Sequence, residues 1–495
     1  MLLIGALLMA CGQPIDDGDT ADPGDPGDSE SVPAALAAEA TADPTAETEG
    51  PGIRLGILGE CEGPFAAFHE DVVAGVALAL AEQAGATLGS RTSALDGITG
   101  ATVAGIPIEV VGIGCGNDSS ARILAILQEL VHEKGANVVI GPLSGDEGVA
   151  TALFALDHPA VTFINGSAGA QDATLKVDAP NFFRFVADGA QWNAGLGHEV
   201  YENLGWRRVA VIGDDYGFGW TSTAGFAADF CGSGGRVTQS VFPALGTEDY
   251  KPYIAQLPDP EEVDGYFWAI GGTGTLPALE EFVRQKGAFV GTQHAGNLFF
   301  SPAIAGVVGP EAANGVRIGG SASLPADVTT PEITSYRALA DNTWDTLPAG
   351  LAGGEAAPPS TALGFLFGYS YYVATTALVE ALTAVDGVPG PDGAHLRDAL
   401  ATLELDLPYG AVSLDERRQA MAQTSISELR LTETGEVVQV TTALVPGVDQ
   451  TLNGTFSPTS AAPERNNTPC ELRFLPYNFR KIQVYLGVPR PLADS

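Results

Sequence analysis

Two serines stand in loops that could carry a nucleophile, Ser144 in GPLSGDEG and Ser167 in INGSAGA. Neither sits in a Gly-x-Ser-x-Gly elbow, the sharp strand-to-helix turn that exposes a hydroxyl for acyl transfer. The six histidines, His69, His132, His158, His198, His294 and His395, are scattered and make no metal-binding pair. Four cysteines, Cys61, Cys115, Cys231 and Cys470, follow Cys11 without the C-x-x-C spacing of a zinc or redox site. GIGCG (112–116) and GGTG (271–274) are too short for a phosphate or dinucleotide loop. No catalytic residue, metal or cofactor is therefore expected.

The charge balance narrows the partners. The 495 residues hold 61 acids and 23 bases, a formal charge of −38. A phosphate backbone wants a basic stripe, so nucleic acid is not expected, nor is an anionic membrane surface. At 45% hydrophobic residues the chain can fill a sizeable core. No Lys or Arg precedes Arg54, whereas 11 acids fall between Asp16 and Glu49. Residues 12–52, rich in Asp, Gly, Pro and Ala, cannot bury enough apolar surface to fold and read as a disordered acidic tether. Before them LLIGALLMA is too short to span a bilayer, which needs about 20 residues. Its ending, Leu8-Met9-Ala10-Cys11, resembles a bacterial lipobox, which implies that Cys11 is lipidated and that the protein is exported and held at a membrane by that lipid alone.

From residue 53 short β-branched runs alternate with helical patterns: RLGIL, IEVVGI, NVVIG, AVTFIN, RVAVIG, RVTQSVF and GYFWAIGG are strand candidates. Asp118 or Ser119 is the expected N-cap of the helix carrying Ile123, Leu127 and Leu130. Strict strand–helix alternation predicts parallel, doubly wound sheets, and its restart after Phe182–Arg184 predicts two lobes. After Ala322 long helical segments (331–345, 360–385, 392–403) precede AVSLD, ISELRLTETG and EVVQVTTAL, with a hairpin turn at Thr434-Gly435.

The fragments RLGILGECEGPFAAFHEDVVAGVALAL, NVVIGPLSGDEGVATA, AVTFINGSAGAQDAT, VAVIGDDYGFGWTSTAGF, WAIGGTGTLPALEEF and LELDLPYGAVSLDERRQAMAQTSISEL, in this order, resemble type I periplasmic solute-binding proteins of the branched-chain amino acid, amide and urea branch. The resemblance covers about residues 53–445 and implies two doubly wound lobes joined by a three-strand hinge. Lobe one would comprise 53–185 with a return at 321–412, and lobe two 186–320 with a return at 413–445. Residues 446–495 form a tail expected on lobe two. The implied protein is a monomeric, periplasmic or cell-surface receptor, not an enzyme, that delivers a small polar solute to an ABC permease. A sensor of the same fold and, more remotely, a hydrolase remain open alternatives.

Carried over residue by residue, the resemblance places Phe68 over the ligand and Gly145 and Asp146 in the head-group loop. Asp146 could pair with an ammonium or start the next helix. Ser167, Ala168 and Gly169 fall on the loop that holds a carboxylate or amide. Tyr216 and Thr273 come from the second lobe, and Asn297 lies near the position of an ammonium-binding acid. Tyr372 is expected in a long helix facing the cleft. For the cysteines, adjacent first strands would bring Cys61 and Cys115 to one sheet edge within disulfide range. Cys231 would then pair with Cys470, with free buried thiols as the alternative.

Overall fold

The computed structural model describes residues 52–352 and 354–461. Ile53–Glu60 (β1) is buried along almost its whole length, as a strand covered by helices on both faces must be. Short strands Thr87–Leu88 (β2), Ile98–Thr99 (β3) and Thr102–Val103 (β4) lead to Ile106–Gly116 (β5), followed by Val138–Ile140 (β6), Thr162–Ile164 (β7) and Phe182–Phe183 (β8). The first sheet has the order β4-β5-β1-β6-β7-β8, parallel except where β4 turns back on β5. The chain steps from β1 to β5 on one side and then to β6 on the other. The loops leaving β1 and β6 therefore diverge and leave a crevice at their carboxyl ends, where open α/β sheets bind ligands.

Helices His69–Ala84 (α1), Ser120–Gln128 (α2) and Gly145–Asp157 (α3) cover this sheet. Ser119, not Asp118, caps α2: its side chain accepts the Arg122 N–H at 3.1 Å. Asp118 stands just outside the helix at φ +66°. The later helix Leu366–Ala384 lies along α1, with Tyr372 donating to Glu82 at 2.9 Å and Gln83 to Thr376 at 3.0 Å. The first lobe is thus completed by residues nearly 300 positions downstream.

After two short helices, Asp172–Leu175 (α4) and Leu196–Glu202 (α5), the second sheet is built from Arg208–Gly213 (β9), Arg236–Val241 (β10), Gly265–Ala269 (β11), His294–Gly296 (β12) and Arg317–Gly319 (β13). These pair in parallel in the order β10-β9-β11-β12-β13. Gly217–Gly232 (α6) packs on them, with Phe226 stacked on Phe267 of β11. A separate hairpin joins Leu347–Pro348 (β14) to Ala356–Ala357 (β15). The sheet is then extended, all antiparallel, by Leu405–Leu407 (β16) and Gly410–Leu414 (β17), whose buried side chains join the first lobe's core, and by Ala420–Leu431 (β18) and Val437–Val448 (β19), of which β18 pairs β13. This sheet is therefore mixed, its parallel half extended by a meander. The β18–β19 hairpin closes with Thr432 N–H donating to Glu436 at 2.8 Å and Gly435 at φ +85°, the left-handed position such loops require.

β19 runs on to Val448, so the second-lobe return does not stop at 445. Val448, Leu452 and Phe456 enter the core around Val209, Phe226 and Phe267, while Gln171 Nε2 donates to the Gln450 carbonyl at 2.7 Å. The start of the tail therefore lies on the second lobe and bonds the segment around α4 as well. Cys11, the expected lipidation site, the expected tether up to residue 51 and residues 462–495 with Cys470 lie outside the described residues. Cys231 is disulfide-bonded.

The lobes are joined by three crossings, after β8, after β13 and before β18. A buried polar knot ties two of them together. Arg184, fully buried, donates to the carbonyls of Ala168 (3.1 Å) and Ala170 (2.7 Å), to Thr174 (2.6 Å) and to Gln419, and lies 3.6 Å from Asp188. Gln419 in turn donates to Val186 (2.8 Å) and Gln191 (2.9 Å).

Candidate functional site

Loops after β1, β5 and β6 of the first lobe meet loops after β9 and β11 of the second. Asp146 Oδ1 accepts the Gly217 N–H at 2.8 Å across the seam. A Cβ on Gly145 would lie 2.9 Å from the Phe218 nitrogen. One on Gly271 would lie 3.1 Å from Phe65 and 3.3 Å from the Tyr216 hydroxyl. The lobes are closed on each other here, and a side chain at either glycine would hold them apart. Tyr216, at the N-cap position of α6, is 5% exposed.

Five carboxyl groups converge on this junction. Glu60, the last residue of β1, accepts the Ser144 N–H at 2.9 Å. Glu147, in the first turn of α3, accepts the Asn117 N–H at 3.2 Å. Burial holds Glu60 well above the usual carboxylate range, with the Glu147 charge adding to it; burial also raises Glu147. Burial and then Glu147 push Asp118 up to about 7. Asp214 accepts the Gly271 N–H at 2.6 Å and is pushed up to about 8, by burial first and by Asp118 second. Asp146 is raised by burial, opposed by its bond to Gly217. The charges that act on these five acids are acidic ones, and no Lys or Arg offsets them.

The residues singled out from the sequence divide into groups. Gly145, Asp146 and Tyr216 line the seam directly, and Asp146 neither caps α3, whose N-cap is Ser144, nor faces solvent alone. Ser167 is 2% exposed and its hydroxyl donates to the Leu143 carbonyl at 3.4 Å. The carbonyls of Ala168 and Gly169 are taken by Arg184 and Gly189 of the first crossing, so this loop is tied to the hinge. Phe68 stacks on Phe365, meets Phe367 edge-on at 4.6 Å and reaches Phe299 of the second lobe at 5.8 Å. Thr273 is exposed, beyond the Gly271 contact. Asn297 is buried and donates to Asn193 at 3.2 Å and to Ser222, next to the crossing. Tyr372 does not face the cleft, because its hydroxyl is held by Glu82 on α1. The neighbouring Tyr371 points instead toward the sheet edge, bonding the Leu58 carbonyl and covering Gly166.

Glu60, Asp118, Ser144, Glu147 and Asp214 are the residues that reading the sequence for a site missed. An acid ending a fully buried strand, as in GILGEC, is the one local signal, and in a chain with 61 acids it is faint. Beside them Cys61 and Cys115 form a disulfide, with Cα atoms 5.1 Å apart, which joins the carboxyl ends of β1 and β5. Along the seam, beside the Asp146–Gly217 bond, a groove of about 390 Å³ runs between the lobes, lined by Leu124, Asp146, Leu153, Ala170 and Trp220.

Two open α/β lobes that close their strand-end loops on one another are the architecture of hinged binding proteins. Residues 52–435 match the family described as periplasmic binding protein, and the chain belongs to that family. Such proteins are not enzymes. Among curated relatives, the Leu/Ile/Val-binding protein homolog 6 of Brucella melitensis is 22% identical over 251 residues, 50% of this chain and 58% of the relative. The match thus spans less than two thirds of that relative. Among solved structures, an ABC transporter substrate-binding protein from Sphaerobacter thermophilus aligns at TM-score 0.63 and 22% identity, covering 81% of this chain and 99% of that one. A solute-binding protein from R. palustris in complex with benzoate aligns at TM-score 0.63 and 18% identity, covering 80% and 97%. A leucine-binding protein from Thermotoga maritima aligns at TM-score 0.61 and 17% identity, covering 80% and 99%. At these identities the likeness is one of fold.

Proposed function

We propose that this chain is an exported receptor that captures a small polar solute between its lobes and hands it to an ABC importer. The observation that carries the reading is the junction itself. Polar side chains of both lobes, Asp118, Ser144 and Asp214 among them, are buried there with oxygens that have no hydrogen-bond partner. Burying polar groups unpaired is costly, so a fold that does so at its strand ends is built to receive a ligand that pairs them. In this reading Gly145, Asp146 and Tyr216 close over the solute, Ser167 to Gly169 hold the loop behind it, and lipidated Cys11 keeps the receptor near its permease.

The test is to denature the purified protein, identify by mass spectrometry any small molecule released, and titrate the refolded protein with it by calorimetry. Tyr216→Ala should weaken that binding at least tenfold. A protein that releases nothing, and that neither binds nor compacts in X-ray scattering with leucine, urea or benzoate, would not be a receptor of this kind. Cys11→Ser should move the protein from the membrane to the soluble fraction.

A further inference from the structure

If the junction is the ligand place, as proposed above, its side chains also specify the charge of what fits there. One buried acid elsewhere has a base beside it: Arg184 and Asp188 are both fully buried and lie 3.6 Å apart, whereas Asp71 and Asp229 are buried singly and held by backbone N–H groups. At the junction no base plays that part. Some of the acids there are partly engaged. Glu60 and Glu147 take the N–H groups of Ser144 and Asn117, each keeping one oxygen unpartnered, while Asp146 is engaged by Gly217. That leaves Asp118 of the first lobe with neither oxygen bonded, and Asp214 of the second with Oδ1 unpartnered.

A second feature is a buried hydroxyl. The Ser144 hydroxyl, on a residue 2% exposed, is directed toward Asp118 yet meets no partner at hydrogen-bond geometry. A third is aromatic. Phe65 from the first lobe and Tyr216 from the second both come within 3.3 Å of one point above Gly271, and Asp214 within 3.5 Å of it. The Phe65 ring edge supplies an apolar wall there, and the Tyr216 hydroxyl is a further oxygen that can accept from a cation's N–H groups beside the carboxylate. Among the described residues no three His, Cys, Asp or Glu are disposed to hold a metal ion.

We propose that the solute is an organic cation, with an ammonium, amidinium or guanidinium group seated between Asp118 and Asp214 against Phe65, Tyr216 and the Ser144 hydroxyl. This polarity is opposite to that of benzoate, the ligand named for one of the structural neighbours. A carboxylate entering here would meet like charge from both lobes.

The proton balance follows from the same geometry. The titratable groups facing the site are Glu60, Asp118, Asp146, Glu147 and Tyr371 from the first lobe and Asp214, Tyr216 and Tyr250 from the second. Asp215 acts on Asp146 from the second lobe, and His69 meets the backbone of Glu60 and the charge of Glu70. Without ligand, Asp118 and Asp214 are pushed up to about 7 and about 8 and are partly protonated at neutral pH. A cation bound between them favours their ionised forms, so binding releases protons and tightens as pH rises through that range.

The experiment is calorimetry on the refolded, ligand-free chain with benzamidine, choline and putrescine, set against benzoate, leucine and calcium chloride, at pH 6 and pH 8.5. At least one organic cation should bind, about tenfold or more tightly at the higher pH and with proton release, and Asp118→Asn and Asp214→Asn should each abolish that gain. A second readout needs no ligand. Both variants conserve volume and remove an uncompensated charge, so at pH 8.5 each should melt at or above the wild type. A lower melting temperature in both would assign these acids a structural role and overturn the proposal. Binding of benzoate or leucine in preference to the cations would overturn the charge assignment while leaving the receptor reading intact, and calcium binding alone would do the same.

Discussion

The disulfide between Cys61 and Cys115 should account for a large share of the stability of the first lobe, and its removal can be worked out in advance. The two residues are 54 apart in sequence and end neighbouring parallel strands, with Gly59 opposite Cys115 and Glu60 opposite Gly116. Cross-linking a loop of that length removes chain entropy from the unfolded state worth about 4 kcal/mol at 25 °C. The native side of the balance changes little. Cys61 is exposed and Cys115 partly so, which lets serine replace both without a cavity, and the β1–β5 hydrogen bonds hold the strands in register. For a body of this size about 2 °C of melting temperature corresponds to each kcal/mol, so the Cys61→Ser/Cys115→Ser protein should melt roughly 8 °C below the wild type. Calorimetric scans of ligand-free protein at one pH provide the measurement, and reduction of the wild type should lower the melting temperature at least as far, because the Cys231 disulfide is reduced as well. Because the effect acts on the unfolded chain, the urea m-value should rise as the freed loop expands. A double variant that melts within 2 °C of the wild type, with an unchanged m-value, would refute the loop-entropy account.

Other consequences follow from the hinge and the seam. Asp146→Ala removes the charge-assisted bond to Gly217, worth about 1.5–3 kcal/mol, and should shift the closed–open balance roughly tenfold or more toward open, read as a larger radius of gyration in X-ray scattering. Arg184→Leu strands Asp188, Gln419 and the Ala168 and Ala170 carbonyls, and should cost about 3–5 kcal/mol in urea unfolding. Lysine should restore only part of it, since one ammonium cannot span acceptors arranged for a planar fork. Finally, Asp118 and Asp214 have raised values in the fold, about 7 and about 8. Their contribution to stability is complete below about pH 4, where the unfolded chain's acids protonate, and is lost as pH rises through 7 to 8. Ligand-free protein should therefore melt higher at pH 5 than at pH 9, and a flat or rising profile would contradict the burial of these acids.

The alternation of β-branched runs with helical spacing was enough to place β1, β5 to β7 and β9 to β11, because strand and helix periodicity is written into neighbouring residues. The Thr434-Gly435 turn and the approach of Cys61 to Cys115 followed from equally local features, a residue tolerant of positive φ and two cysteines at the ends of consecutive strands. The site was less legible for a definite reason. Leu366–Ala384 is buried nearly all round, so its sequence has no polar face by which to orient it, and Tyr371 and Tyr372, one residue apart, point to a sheet edge and to α1 respectively. In the same way, Asp118 and Ser119 both suit a helix N-cap, and only packing left the first outside the helix and facing the acids. Residues 60, 118, 147 and 214 look like any other carboxylates in an acidic chain. What distinguishes them is burial together at one junction without a base, a property of contacts between segments that the chain brings together from four different strand ends. Local sequence determines which elements form, whereas desolvation and pairing depend on what lies opposite in space, and that was decided only when the two lobes closed.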